Sequence, residues 1–297
     1  MIKRISFLIL LACCITTASF AQKSYDELTY PEINEFEKPD VVKFTTDNGI
    51  QFFLIEDHEL PIIDVNVRIR TGGIQVPDSL TGLSAITGMV MRSGGTESIG
   101  SDSLNVLLEN NAAQLHTGVG FTSGSAGLNV LKEDFDTLLP VFVDVLGNPA
   151  FPTEKIELAK KQAKSAISRR NDDVNSIAGR EFNKLIYGEN SKYGRVRQYA
   201  TINNINRNEI INFHKDNFVG NNMMVGVVGD FNAGSMKKKL TKAFSEIPAG
   251  TENSLQFPDV NYDYKSTINF VNKPEVTQAT VYMGHLGGTR PNPDYGK

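Results

Sequence analysis

Tryptophan is absent, and the only two cysteines, Cys13 and Cys14, are adjacent near the start of the 297 residues. That excludes a fold held together by several disulfides and a metal centre built from spaced thiolates. Histidine is scarce as well. The four are His58, His116, His214 and His285, and no two lie four apart, so the paired-histidine helix of many zinc peptidases is missing. Neither sign of charge prevails, with 30 Lys and Arg against 34 Asp and Glu for a formal net of −4. Without a basic field the composition does not favour a nucleic-acid partner, and Lys237-Lys238-Lys239 fits a solvated helix face. There is no Gly-x-Ser-x-Gly elbow and no P-loop, and Gly118-Val119-Gly120 does not continue into a dinucleotide fingerprint.

Long apolar runs are also lacking. The longest, from Ile5 to about Ile15, is shorter than the roughly 20 residues that span a bilayer. It follows Lys3-Arg4 and precedes Ala18-Ser19-Phe20-Ala21-Gln22, the order of a secretory signal peptide cleaved after Ala21. The expectation is therefore export to the periplasm, with residues 1–21 removed and both cysteines lost with them. Leu10-Leu11-Ala12-Cys13 also loosely matches a lipid-attachment box, so membrane anchoring through Cys13 stays open as the alternative.

What is present is ordinary globular material, 40% hydrophobic and 22% charged. After a polar lead-in over residues 22–42, the segment Val42 to Glu56 alternates around Asp47-Asn48-Gly49, which predicts a β-hairpin. Ile63, Val65, Val67 and Ile69 alternate with polar residues and predict a half-buried strand ending at Gly72-Gly73. From Thr81 the period turns helical through Leu83, Ile86, Val90 and Met91. Further helices are expected around Leu104 to Leu108, Phe135 to Leu146, Thr153 to Arg170, Phe182 to Tyr187, Ile210 to Phe218 and Met236 to Phe244. Strands are expected within Ala113 to Leu131, and a buried strand at Met223 to Val228. Sheet plus helices indicates an α+β fold, an antiparallel sheet with helices on one side.

Residues 248–264 combine Pro, Gly, Asn and Ser without a period and predict a linker. Beyond it, Ile268-Asn269-Phe270 repeats Ile50-Gln51-Phe52, and Gly287-Gly288 repeats Gly72-Gly73. This pattern raises the expectation of a duplicated domain, residues 43–247 followed by the start of a second copy at 265–297 that stops before its helices.

The stretch Gly82-Leu83-Ser84-Ala85-Ile86-Thr87-Gly88-Met89, running on to Gly94-Gly95-Thr96, resembles the metal-binding helix of the M16 peptidase family (insulinase and mitochondrial-processing-peptidase-like). That helix reads Gly-Leu-x-His-x-x-Glu-His and ends near Gly-Thr. Asn171-Asp172-Asp173, Tyr187-Gly188, Tyr193-Gly194-Arg195 and Val227-Val228-Gly229-Asp230 add to the likeness, which runs from about Lys43 to Lys297. The resemblance implies the LuxS/MPP-like metallohydrolase fold. In active members two histidines and a later glutamate hold zinc, and a glutamate between the histidines serves as general base. Carried onto this chain, the histidines fall on Ala85 and Met89, the base on Gly88, and the later ligand on Ala166. The expectation is thus a degenerate member with no metal, no cofactor and no catalytic residue of its own.

Helical spacing alone puts Ala85, Gly88, Met89 and Arg92 on one small, apolar stripe, the reverse of a metal site. The resemblance places Gln114, Leu115, His116 and Thr117 on an edge strand along a peptide cleft, with His116 expected to be a partly buried strand residue. His58 is expected on the surface and His214 in the polar part of a helix. The implied role is a non-catalytic subunit that handles peptides together with a zinc-bearing M16 homologue. A stand-alone peptide-binding or scaffold protein of the envelope, recognising extended chains by strand addition, and a zinc peptidase with unusual ligands remain as alternatives.

Overall fold

The computed structural model describes residues 38–260 and 265–288. The expected leader with Cys13 and Cys14, nearly all of the lead-in, part of the linker and the residues from 289 onward lie outside them. The chain divides into two units, Met1–Pro39 and Asp40–Lys297. Every element below belongs to the second.

The hairpin forms as expected, β1 (Val42–Thr45) against β2 (Gln51–Glu56). Gly49, at φ +85°, closes the turn in the left-handed region that glycine enters freely. Next come β3 (Ile62–Ile69), α1 (Leu83–Ser93), α2 (Ser101–Asn110), β4 (Gln114–Val119), β5 (Gly124–Leu131) and α3 (Phe135–Gly147). They are followed by α4 (Thr153–Ser168), α5 (Val174–Tyr187), α6 (Tyr199–Asn204), α7 (Arg207–Asn217), β6 (Met223–Gly229) and α8 (Ala233–Ala243).

The six strands make one sheet in the order β1-β2-β6-β3-β5-β4. Alternate residues Ile63, Val65, Val67 and Ile69 of β3 are buried and lie opposite Val130, Leu128, Ala126 and Gly124 of β5. The helices pack on this face; Phe244, just past α8, meets Phe52 edge-on at 5.5 Å. The other face carries Asn66, Arg68, Gln114, His116 and Ser125, all exposed.

Three details differ from the sequence expectation. The sheet is mixed rather than antiparallel, because β6 pairs in parallel with β2, Phe52 opposite Val225; a long helical excursion separates them, as a parallel pair requires. β6 is not buried throughout, since Met224 and Val228 sit on the open face. Helix α5 starts at Val174 rather than Phe182, because the Asp173 carboxylate accepts from the Ser176 N–H at 2.7 Å and caps it.

Residues 248–260 form no regular element, in keeping with a linker. The described residues 265–288 contain no strand either, although Ile268 to Phe270 and Thr280 to Tyr282 alternate like one. A strand is held by hydrogen bonds to a neighbour, and neither stretch has one here.

Candidate functional site

Helix α1 opens at Gly82, whose φ of +115° and crowding against Ile202 suit no other residue. Its buried side, Leu83, Ile86, Val90 and Met91, joins the core. Of the stripe that would carry metal ligands, Ala85 is half-buried, Gly88 is buried and Met89 is 46% exposed. Ala166 lies exposed on α4, which packs against α1.

Gly88 is the tightest point of this region. A Cβ there would sit 2.4 Å from the Val119 nitrogen and 2.7 Å from the Gly118 carbonyl carbon. The Thr117 hydroxyl donates to the Gly88 carbonyl at 2.6 Å. The backbone of α1 thus touches β4 directly, with no room at position 88 for the Cβ of a glutamate. The residues do not fit zinc. Ala85, Gly88 and Ala166 offer no donor, Met89 offers only a thioether that zinc sites do not use, and the base position is filled by a strand. Among the described residues no group of three or more His, Cys, Asp or Glu side chains is placed to hold a metal ion.

The strand so approached, β4, is an edge of the sheet. The structure therefore brings together two predicted groups, the Ala85–Gly88–Met89 stripe and Gln114 to Thr117. Gln114 and His116 point to the open face, while Leu115 is buried. His116 is more exposed than expected because it points to the open face, where its ring lies over Gly127 and a side chain at 127 would collide with it. One turn beyond Gly88, Arg92 donates from Nε to the Leu115 carbonyl at 3.3 Å and from Nη1 to the Asn105 Oδ1 at 2.7 Å. The sequence reading placed Arg92 on the stripe but missed its polar role and its partner Asn105.

The other histidines are structural. His58 is on the surface as expected, its Nδ1 2.6 Å from Asp230 Oδ1, and Lys132 bonds the other carboxylate oxygen at 2.7 Å. The Asp230 hydrogen bond raises the His58 pKa, and Lys132 holds Asp230 below the usual carboxylate range. His214 is not in a polar setting. It is buried between Phe151 and Phe218, and its Nε2–H donates to the Leu146 carbonyl at 2.8 Å. Burial pushes its pKa down to about 4. His285 is exposed.

A surface cleft of about 220 Å³ lies beside the start of α1, lined among others by Asp78, Lys184, Glu189 and Arg195. Its charges satisfy one another, Lys192 and Arg195 on Asp78 and Lys184 on Glu189.

Comparison with known proteins agrees with the sequence resemblance. The family profile described as Peptidase M16 inactive domain matches residues 204–297. The chain is 23% identical over 261 residues to a Helicobacter pylori protein named Non-peptidase homolog YmxG, covering 86% of this chain and 56% of that protein. It is 21% identical to the Mitochondrial-processing peptidase subunit beta of Dictyostelium discoideum, covering 77% of this chain and 48% of that one. Among solved structures, the M16 inactive domain from Pseudomonas fluorescens superimposes with a TM-score of 0.69 at 20% identity, covering 74% of this chain and 54% of that one. The periplasmic protease PqqL from Escherichia coli gives 0.66 at 13% identity, covering 76% and 26%. The chain thus spans about half the length of the curated relatives it matches.

Proposed function

We propose that this chain, a degenerate member of the M16 peptidase family, is an exported, non-catalytic subunit that pairs with a zinc-bearing M16 homologue in the breakdown of peptides. The observation that carries the reading is the contact of Gly88 with β4. Catalysis by this family's route needs a carboxylate on α1 with a water before it, and the collision of any Cβ at position 88 with the backbone of Gly118 and Val119 supports its loss. A relative named as a non-peptidase homologue and another named as a subunit of a processing peptidase support it. The likeness to a periplasmic protease supports export, as does the leader-like start; no helix among the described residues is long and apolar enough to cross a membrane.

The test is peptidase activity together with bound-metal determination, on the protein alone and mixed with a zinc-bearing homologue from the same cell. No zinc and no turnover alone, with turnover gained or raised on mixing, is the expected result. Stoichiometric zinc and turnover by the lone protein would overturn it. A second reading, a stand-alone peptide-binding protein, is favoured by β4 lying at the sheet edge; recognition of extended peptides without any effect on a partner's activity would select it.

A further inference from the structure

Arg92 is a half-buried cation without a counter-ion. Its guanidinium touches two neutral acceptors, the Leu115 carbonyl and the Asn105 amide oxygen. No carboxylate among the described residues forms an ion pair with it, not even Asp102 or Glu109 on the helix that bears Asn105. Nη2 has no protein partner among those residues. Burial lowers its pKa without approaching neutrality at physiological pH, since arginine stays protonated in proteins. Nη2 is not among the buried atoms, so this partly buried cation keeps an accessible donor, and a carboxylate is the acceptor that an arginine fork matches best.

The backbone shows where that anion would come from. The Gly120 N–H donates to the Ser123 carbonyl at 2.9 Å, closing the β4–β5 hairpin. The antiparallel alternation that follows turns the N–H and C=O groups of Leu115 and Thr117 away from β5, toward the free edge. Gly88 closes the Val119 end of that edge. One helical turn on, the same helix delivers the Arg92 guanidinium to Leu115. The Leu115 carbonyl keeps a second lone pair for an incoming N–H.

We propose that Arg92, steadied by Asn105 at the open end of β4, forms a carboxylate site that selects extended peptides bearing an acidic side chain, bound by strand addition along Gln114 to Thr117. The inference rests on β4 being a peptide-contacting edge, and it supplies the chemistry of the ligand. An arginine fork on a carboxylate gives short, charge-assisted bonds, so the discrimination between an acidic residue and its amide is expected to be about tenfold or more.

Two labelled peptides of β-branched residues, identical except for one central Glu or Gln, would be titrated by fluorescence anisotropy against the full chain. The Glu peptide is expected to bind about tenfold tighter, with an advantage that shrinks as salt rises. R92Q, checked for native circular dichroism, is expected to abolish the difference, the Glu peptide losing about tenfold more affinity than the Gln peptide. Equal affinity of the two peptides for the unaltered protein, or no binding of either, overturns the proposal, and that comparison needs no variant to fold. The assay contains no zinc-bearing partner. A mixture that gains peptidase activity while the peptides show no difference would therefore discard the carboxylate site and leave the subunit reading standing.

Discussion

At Gly88 a single hydrogen atom in place of a side chain lets a helix lie on a strand. In an exposed helix Gly→Ala is worth about 1 kcal/mol in favour of alanine. Here the added methyl would meet the backbone of Gly118 and Val119, which cannot move aside as a flexible side chain can. Gly88→Ala is expected to destabilise by about 1–3 kcal/mol, measured as a lower urea midpoint at unchanged slope. For the same reason, writing the family's ligands back as A85H, G88E, M89H and A166E is expected to yield no stoichiometric zinc by elemental analysis. Substitution of the ligand positions was legible in the sequence, because the motif is local. The closing of the space before them was not, because it depends on Gly118 and Val119, thirty residues further along the chain.

His214 makes the complementary case. Its spacing of four from both Ile210 and Phe218 places it on the buried stripe of α7, a signal that local polarity obscured. Its folded pKa of about 4 lies below the ordinary histidine value of 6.5. The unfolded chain therefore takes up the proton first as pH falls, and stability drops between about pH 6.5 and 4 and levels off below that. The whole effect is on the order of 3 kcal/mol for a shift of this size. Denaturation midpoints from pH 7 to 4 in the unaltered protein and in His214→Leu would isolate it; the variant, less stable at neutral pH, is expected to lose less on acidification.

Among the elements, the hairpin, β3 and α1 were legible because each is decided by contiguous alternation, helical spacing or a turn. The parallel placement of β6 was not, since nothing in Met223 to Val228 says which strands it will separate. The start of α5 was missed because its cap, Asp173, is a single residue in a polar stretch. The junction that steadies β6 is polar and non-local. The Thr71 hydroxyl donates to Asn217 Oδ1 at 2.9 Å, Asn253 Nδ2 donates to the same oxygen at 2.8 Å, and the Asn253 N–H donates to Asn222 Oδ1 at 2.7 Å. One buried amide thus joins the end of β3, the end of α7 and the linker. Asn217→Leu, which removes the acceptor shared by Thr71 and Asn253 and leaves one Asn253 amide hydrogen unanswered, is expected to cost about 1–3 kcal/mol. Hydrogen exchange should show protection lost first at Asn253.

For the molecule as a whole, the fold class and the likeness to M16 proteins were readable from residue patterns, and the second-copy strands were not realised among the described residues. Ile268, Phe270 and Met283 are 101%, 86% and 91% exposed; apolar side chains in that state find neither a sheet to join nor a layer to cover them. The order of the strands carries one more consequence, in time rather than space. β2 and β3 are neighbours in the chain but not in the sheet, because β6 lies between them. Until residues 223–229 have emerged, the first hairpin cannot join the remaining strands. Pairings this distant in sequence close slowly, so completion of the sheet is expected to wait until late in synthesis. A version ending at Asn222 should unfold without a cooperative transition, and one extended through Ile247 should regain it.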